Sequence, residues 1–319
     1  MRFSRDQDSK RKIPVTDISA APASFIDTVL ARRRALKLDP ACSALIGRRE
    51  FGVGHALEQH PLLSLEAIAQ LADALPAAAV ECHRARQPLL LPGGVSAGDA
   101  EPLAKPSEIV RNIDTSGRWM VLWNIEQRAP YRKLLNELLD EVVRLLPTRE
   151  RGMVFREAFL FISSPGSITP AHIDPEHNFL LQLRGKKDMH VGSFASPAIE
   201  QGELTRYNDS GHRNIAEMPL HSSTFSLLAG DGVYLPPWRP HWVNNGPQAS
   251  LSLSVTFRTG LSQQVENAHR FNAKLRRWGI APPPVGESPF TDRLKAAFIG
   301  GKSWLKRGGR PLRGARDFS

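Results

Sequence analysis

From Phe155 to Arg258 the chain is written as short apolar runs separated by Gly, Pro, Ser and Asp, the pattern of β-strands joined by turns. The runs are Phe155–Ser163, Ile168–Asp174, Phe179–Arg184, Met189–Phe194, Thr224–Leu228, Val233–Leu235, His241–Asn244 and Leu251–Arg258. The last, Leu-Ser-Leu-Ser-Val-Thr-Phe-Arg, alternates strictly, so one face is apolar and the other polar. Short strands at this rhythm predict a mainly β chain whose centre is a jelly-roll (double-stranded β-helix) barrel, with a mouth able to hold a small ligand.

Outside these runs the apolar period lengthens to that of helices. Leu62–Leu75, with Ser64 as its cap, and Tyr131–Leu146, with Leu134, Leu135, Leu138, Val142 and Leu145 on one face, predict helices packed on the barrel. Phe25–Leu38 predicts a short helix, Pro88–Pro106 a loop and Trp119–Trp123 a strand; helices are expected at Ser262–Trp278 and Thr291–Ile299. The expected organisation is a polar leader (1–20), a helical N-terminal flank with a barrel-supporting strand (21–150), the barrel (151–260), C-terminal helices (261–300) and a basic tail (301–319).

Composition narrows the class. At 319 residues with 41% hydrophobic residues, the chain can bury one sizeable core. No uncharged run approaches the roughly twenty apolar residues of a membrane helix, and the N-terminus has no apolar signal segment. Cys42 and Cys82 stand far from any ligand spacing and read as reduced thiols, so a cytoplasmic enzyme is expected. The net charge of +10 is uneven, because residues 261–319 hold twelve Lys/Arg against four Asp/Glu, a balance of +8. Such a tail can contact nucleic acid, anionic lipid or an acidic partner, with a solvated end as the favoured plainer reading. A homodimer through the C-terminal helices is the expected oligomer.

The chemistry concentrates in two stretches. In an extended strand His172 and Asp174 point to one side with Ile173 behind them, and His241 on a later strand would complete two nitrogens and one carboxylate. His177, His190, His212 and His221 are alternatives for the third ligand. His241 is preferred because Gly230-Asp-Gly and Pro236-Pro fix the approach to its strand.

Both stretches resemble the two half-motifs of cupins. In the first, Asp174 takes the place of a histidine and Asn178 that of an acid; in the second, Trp238 stands where the pattern has glycine. More narrowly, Thr169-Pro-Ala-His172-x-Asp174 and Asn178-Phe-x-x-Gln182-x-Arg-Gly185-x-Lys187 resemble JmjC-type, cupin-like iron and 2-oxoglutarate dependent oxygenases, and within them the asparaginyl hydroxylases of hypoxia-inducible factor. The resemblance implies Fe(II) at His172, Asp174 and His241, with 2-oxoglutarate held by Lys187, Thr169, Asn178 and Thr256. The tyrosine that assists the lysine in that relative has no clear counterpart; the strand around Trp119–Asn124 is the segment expected in its place. Residues expected to line the substrate pocket are Trp238, Arg239, Trp242 and His190.

The implied reaction is hydroxylation of a C–H bond coupled to decarboxylation of 2-oxoglutarate, with a protein side chain as the favoured substrate. Two questions stay open at this level. Strand parity does not choose between Lys186 and Lys187, and Arg258 competes with lysine for the distal carboxylate of the co-substrate. The rival classes are a cupin that takes no 2-oxoglutarate, whether isomerase, dioxygenase or small-ligand binding module, and a scaffold whose basic tail carries the activity.

Overall fold

The structure, a computed structural model, describes residues 35–91 and 105–306, with side chains to 300. The polar leader, most of the Phe25–Leu38 segment, the centre of the Pro88–Pro106 loop and the tail beyond Lys306 lie outside the described residues. Among the described residues, twelve strands form two antiparallel sheets that face each other. In chain order they are β1 (Leu36–Lys37), β2 (Phe51–His55), β3 (Val80–Arg84), β4 (Arg118–Leu122), β5 (Val154–Ser163), β6 (Ile168–His172), β7 (His177–Arg184), β8 (Lys187–Ser193), β9 (His221–Leu227), β10 (Asp231–Leu235), β11 (His241–Asn245) and β12 (Ser250–Arg258). The larger sheet has the order β1-β2-β10-β7-β12-β5-β4-β3 and the smaller β6-β11-β8-β9. This is the jelly-roll expected from the strand rhythm.

The alternation of β12 decides where each sheet face looks. Leu251, Leu253, Val255 and Phe257 join Phe179, Leu181, Leu160 and Ile162 in a core on the outer face of the large sheet. Burying each such side chain contributes roughly 1.5–3 kcal/mol. Helices α1 (Leu65–Ala74) and α3 (Ala129–Val143) supply the other half of that core through Ile68, Leu71, Leu134, Leu135, Leu138 and Val142; the short α2 is Pro106–Arg111. Ser64 caps α1 as expected, its Oγ accepting from the Ala67 amide at 3.3 Å. The polar face of β12 does not meet water: Ser252, Ser254 and Thr256 are buried and point between the sheets. There Leu180, Val233 and Leu235 meet Met189, Val191, Leu227 and Val243 of the small sheet.

The N-terminal flank is more β than its sequence suggested. Its described residues supply four strands to the large sheet rather than one. Leu36–Lys37, placed by periodicity in a helix, pairs instead with Gly54–His55, and the Ala35 and Leu36 amides donate to the Glu141 carboxylate of α3. Helix α4 (Pro197–Ser210) has sparse apolar residues and no periodic signature; the Ser196 hydroxyl caps it. The C-terminal helices are α5 (Gly260–Arg277) and α6 (Pro289–Lys306), the first capped reciprocally by Thr259 and Ser262.

One glycine controls how β7 turns into β8. Gly185 has φ 73°, and a Cβ there would sit 2.3 Å from the Ala249 carbonyl oxygen. Gly185→Ala is expected to destabilise the protein by about 1–3 kcal/mol from backbone strain alone, before the clash is counted. Thermal denaturation of the variant beside the parent checks this.

Candidate metal centre

Strands β6 and β11 pair antiparallel with His172 directly opposite His241, which brings the ring centroids to 4.1 Å. Each imidazole is fixed by its own strand. His172 Nδ1 lies 2.7 Å from the Pro170 carbonyl and His241 Nδ1 lies 2.8 Å from that of Arg239. A carbonyl only accepts, so Nδ1 carries the proton and the Nε2 lone pair is left for a ligand. Both Nε2 atoms face one carboxylate oxygen, Asp174 Oδ2, at 3.7 and 3.6 Å. One donor atom from each of the three residues lies within 4.8 Å of the other two, a spacing able to hold a metal ion.

Asp174 is positioned by a residue the sequence pattern did not single out. The segment Arg213–Ile215 runs beside β6 and hydrogen-bonds to Ala171 and Ile173, so Arg213 Nη1 donates to Asp174 Oδ1 at 2.5 Å while Oδ2 stays toward the histidines. Burial alone would raise the Asp174 pKa, but Arg213 and the two histidines outweigh it and hold the carboxyl well below its usual range. Burial, then the neighbouring His241, pushes His172 down to about 4. Asp174 is therefore ionised and His172 neutral near pH 7, the forms that bind a metal. Trp238 takes the backbone conformation of the glycine it replaces, φ 67°, and its amide donates to the Asp174 carbonyl at 2.7 Å.

Behind the triad the inner wall is polar. Across the large sheet Asn178 of β7 stands opposite Thr256 of β12. Asn178 accepts from Ser254 Oγ at 2.7 Å, and Thr256 Oγ1 is buried with no partner among the described residues. Gln182 has both ends occupied, by Arg184 and Ser250 and by Ser252, and is structural. On the small sheet Lys187, Met189 and Val191 share the face of Asn245, Val243 and His241, so Lys187 projects inward. Lys186 falls on the other side of the strand turn. Lys187 is only 3% exposed, and burial lowers its pKa to about 7. Thr169 and His172 are three residues apart, which in a regular strand would place them on opposite faces. A bulge in the β6–β11 register, where Thr169 pairs with Val243 and His172 with His241, puts both on the inner face.

Arg258, the other candidate cation for the co-substrate, is already engaged. Its guanidinium donates to Glu176 at 2.7 Å and to the buried Glu266 carboxylate. His177 is also structural: Tyr234 accepts from the Gly47 amide at 2.8 Å and donates to His177 Nδ1 at 2.7 Å, in a buried network that reaches Glu150 and Thr259.

Two of the residues expected at the substrate pocket lie elsewhere. His190 and Trp242 alternate with Met189, Val191 and His241, so they occupy the outer face of the small sheet, where their rings stack at 5.0 Å. Trp238 packs with Ala171, Ile173 and Leu204, and edge-on to Tyr207. Arg239 donates to Ser193 Oγ and lines an open cavity of 270 Å³ with Arg48, Glu200, Pro236 and Trp238.

Residues 139–265 match the family model of the JmjC domain. The lysine-specific demethylase JMJ30 of Arabidopsis thaliana is 28% identical over 137 residues, which is 39% of this chain and 30% of that protein. The chain thus spans less than a third of that relative's length. Among solved structures it is similar to YcfD, a ribosomal oxygenase from Escherichia coli in complex with cobalt and 2-oxoglutarate, with a TM-score of 0.48 and 15% identity over 85% of this chain and 68% of that one. It is also similar to the DMSP lyase DddQ from Ruegeria pomeroyi DSS-3, with a TM-score of 0.22 and 18% identity over 33% of this chain and 39% of that one. The span matched by the family model runs from the end of α3 into α5 and takes in His172, Asp174, His241 and Lys187.

Proposed function

We propose that this chain is an Fe(II)- and 2-oxoglutarate-dependent hydroxylase acting on a protein side chain. The observation that carries the reading is the pairing of a two-histidine, one-carboxylate cluster with a buried lysine on the same inner wall. The donor set fits a ferrous ion: two imidazoles, that of His172 neutral, and one ionised carboxylate are gathered together, a set that would leave positions for oxygen ligands. The wall fits 2-oxoglutarate, because among the described residues Lys187 has no charged neighbour that shifts its pKa and Thr256 Oγ1 is a buried hydroxyl without a partner. A cupin with no anionic co-substrate has no use for an uncompensated interior cation.

When bound together, iron and 2-oxoglutarate supply the oxidising chemistry, in which one atom of dioxygen enters succinate as carbon dioxide leaves and the other enters the substrate. The chain's own residues hold and orient. His172, Asp174 and His241 ligate; Arg213 keeps Oδ2 of Asp174 aimed at the ion; Lys187 neutralises the distal carboxylate; Thr169, Asn178 and Thr256 hydrogen-bond along the co-substrate. Arg258 serves the fold, bracing β12 against β7 and α5 through Glu176 and Glu266.

A side chain as substrate is favoured by the Arabidopsis relative, a lysine-specific demethylase. Among the described residues no helix is long and apolar enough to cross a membrane. Use of ferrous iron and a central metabolite suits the cytoplasm. Phe290, Leu294 and Phe298 leave an exposed apolar stripe along α6, which supports self-association through the C-terminal helices, while the basic tail is the part suited to an anionic partner.

The test is succinate formation from 2-oxoglutarate by the purified chain with Fe(II) and air, without added substrate. Slow uncoupled turnover, abolished by leaving out either iron or oxygen, is the expected result. No binding of 2-oxoglutarate to the metal-loaded chain would overturn the reading.

A further inference from the structure

The carboxylate of the metal cluster is the first member of a line of charges that leads away from it. Arg213 Nη1 donates to Asp174 at 2.5 Å and also lies 3.5 Å from Glu176 Oε2. Arg258 donates to Glu176 Oε1 at 2.7 Å and, through its other terminal nitrogen, to Glu266. Glu266 Oε1 in turn meets Arg270 at 3.1 Å. Acid and guanidinium alternate at every step. The line begins in the turn between β6 and β7, passes the end of β12 and finishes on α5.

Burial decides how far one charge is felt by the next. The Glu176 side chain is 6% exposed and that of Glu266 is fully buried, whereas Arg270 is half exposed and opens to water. Between buried charges the screening by solvent and salt is weak, so a change at one member alters its neighbours. Glu176 is the joint of the line, with one oxygen for each of two guanidiniums.

Arg213 has two opposed effects on a cation site. It aims Asp174 Oδ2, which favours the ion, and it brings a positive charge against the ligand, which opposes the ion. Glu176 acts on both, because its carboxylate restrains Arg213 Nη1 and offsets the guanidinium charge.

We infer that Glu176 is a positioning residue for the metal, and that through Arg258 and Glu266 it couples α5 to the metal centre. The inference rests on the metal assignment proposed above. Losing the Glu176 charge leaves Arg213 less restrained and less compensated, and both consequences weaken metal binding. Losing the Glu266 charge leaves Arg258 more dependent on Glu176. Glu176 already sits closer to Arg258 than to Arg213, so it is drawn further from Arg213, and the effect reaches the metal with the same sign and a smaller size.

The experiment is calorimetric titration with Co(II) of the parent, Glu176→Gln, Glu266→Gln and Asn272→Ala. Glutamine keeps the shape of glutamate and removes its charge. Asn272 is also buried on α5 and donates to the Pro283 carbonyl at 2.9 Å, but belongs to none of the contacts above, so its variant loosens the helix without touching the line. Glu176→Gln is expected to weaken Co(II) binding about ten- to a hundredfold, the range for a residue that orients a metal ligand. Glu266→Gln should weaken it about three- to tenfold, and Asn272→Ala should leave it unchanged. Parent-like affinity in either glutamine variant, or an equal loss in Asn272→Ala, overturns the inference while leaving the metal assignment intact. A parent that binds no Co(II) overturns both.

A second measurement needs no variant. Coupling is reciprocal, so the metal must act on α5 as α5 acts on the metal. Adding Zn(II) to the parent should slow amide hydrogen exchange in residues 263–270 of α5 more than in α1, which packs on the large sheet away from the line. Equal slowing of the two helices, or none, means that α5 is not coupled to the site.

Discussion

Lys187→Met should raise the melting temperature of the ligand-free protein and weaken 2-oxoglutarate binding by about two to four orders of magnitude. Both effects have one cause. Lys187 is 3% exposed, and burial alone carries its pKa from 10.5 down to about 7. Below pH 7 the amine is charged in both the folded and unfolded chains, so the full desolvation penalty is present. Between pH 7 and 10.5 the unfolded chain keeps a proton that the folded chain has released, and stability rises with pH through that window. Each tenfold loss of proton affinity corresponds to about 1.4 kcal/mol, so the penalty amounts to a few kcal/mol, and an apolar side chain of similar length removes it.

Co-substrate binding has the opposite sign, because the carboxylate needs the charged lysine: affinity should fall as pH rises above 7. Leaving a desolvated carboxylate unpaired costs about 3–5 kcal/mol, which is the source of the expected loss. Arg258→Ala is the contrasting variant. It strips one guanidinium from buried Glu176 and Glu266, which keep Arg213 at 3.5 Å and Arg270 at 3.1 Å, and should destabilise by up to about 3–5 kcal/mol while retaining affinity for 2-oxoglutarate. Thermal melts and calorimetric titrations on both variants decide the matter, and the reverse pattern would move the co-substrate to Arg258.

Asp174→Ala should abolish the stabilisation conferred by ferrous iron. A ligand at one hundred times its dissociation constant adds about 2.7 kcal/mol, read as a rise in melting temperature under anaerobic conditions. The loss should exceed that of one ligand atom, because Arg213, now facing the ion without its carboxylate, adds repulsion. Arg213→Leu separates positioning from ligation: all three ligands remain, but Asp174 loses the contact that aims Oδ2, and metal affinity should drop about ten- to a hundredfold. Full retention of the iron-induced shift in Asp174→Ala would remove this residue from the site.

The strands of the barrel and the candidate cluster of His172, Asp174 and His241 were legible in the amino-acid order because each rests on local rules. Alternation in β12 follows from the two-residue pleat, and the His172-x-Asp174 spacing from the same period. Periodicity also marked α1 and α3, whose apolar stripes face one core. Where the local signal was weak, reading along the chain failed: α4 carries too few apolar residues to show a period, and Leu36–Lys37 became a strand only because Gly54–His55 lay beside it.

Pairing across the chain set which face each strand shows and who sits beside whom. His190 and Trp242 are neighbours of inward-facing residues in sequence, and alternation therefore sends them outward. Thr169 reaches the inner face by a bulge that no single strand announces. Arg213 and Asp174 are far apart in sequence and touch in the fold, as Arg258 does with Glu176. The barrel strands and the His172-x-Asp174 pair could be read from the amino-acid order alone, since strand period and side-chain spacing are properties of adjacent residues. That, among the described residues, Arg258 is already paired while Lys187 is buried without a neighbouring acid could not, because it depends on which acids the folded chain brings against each cation.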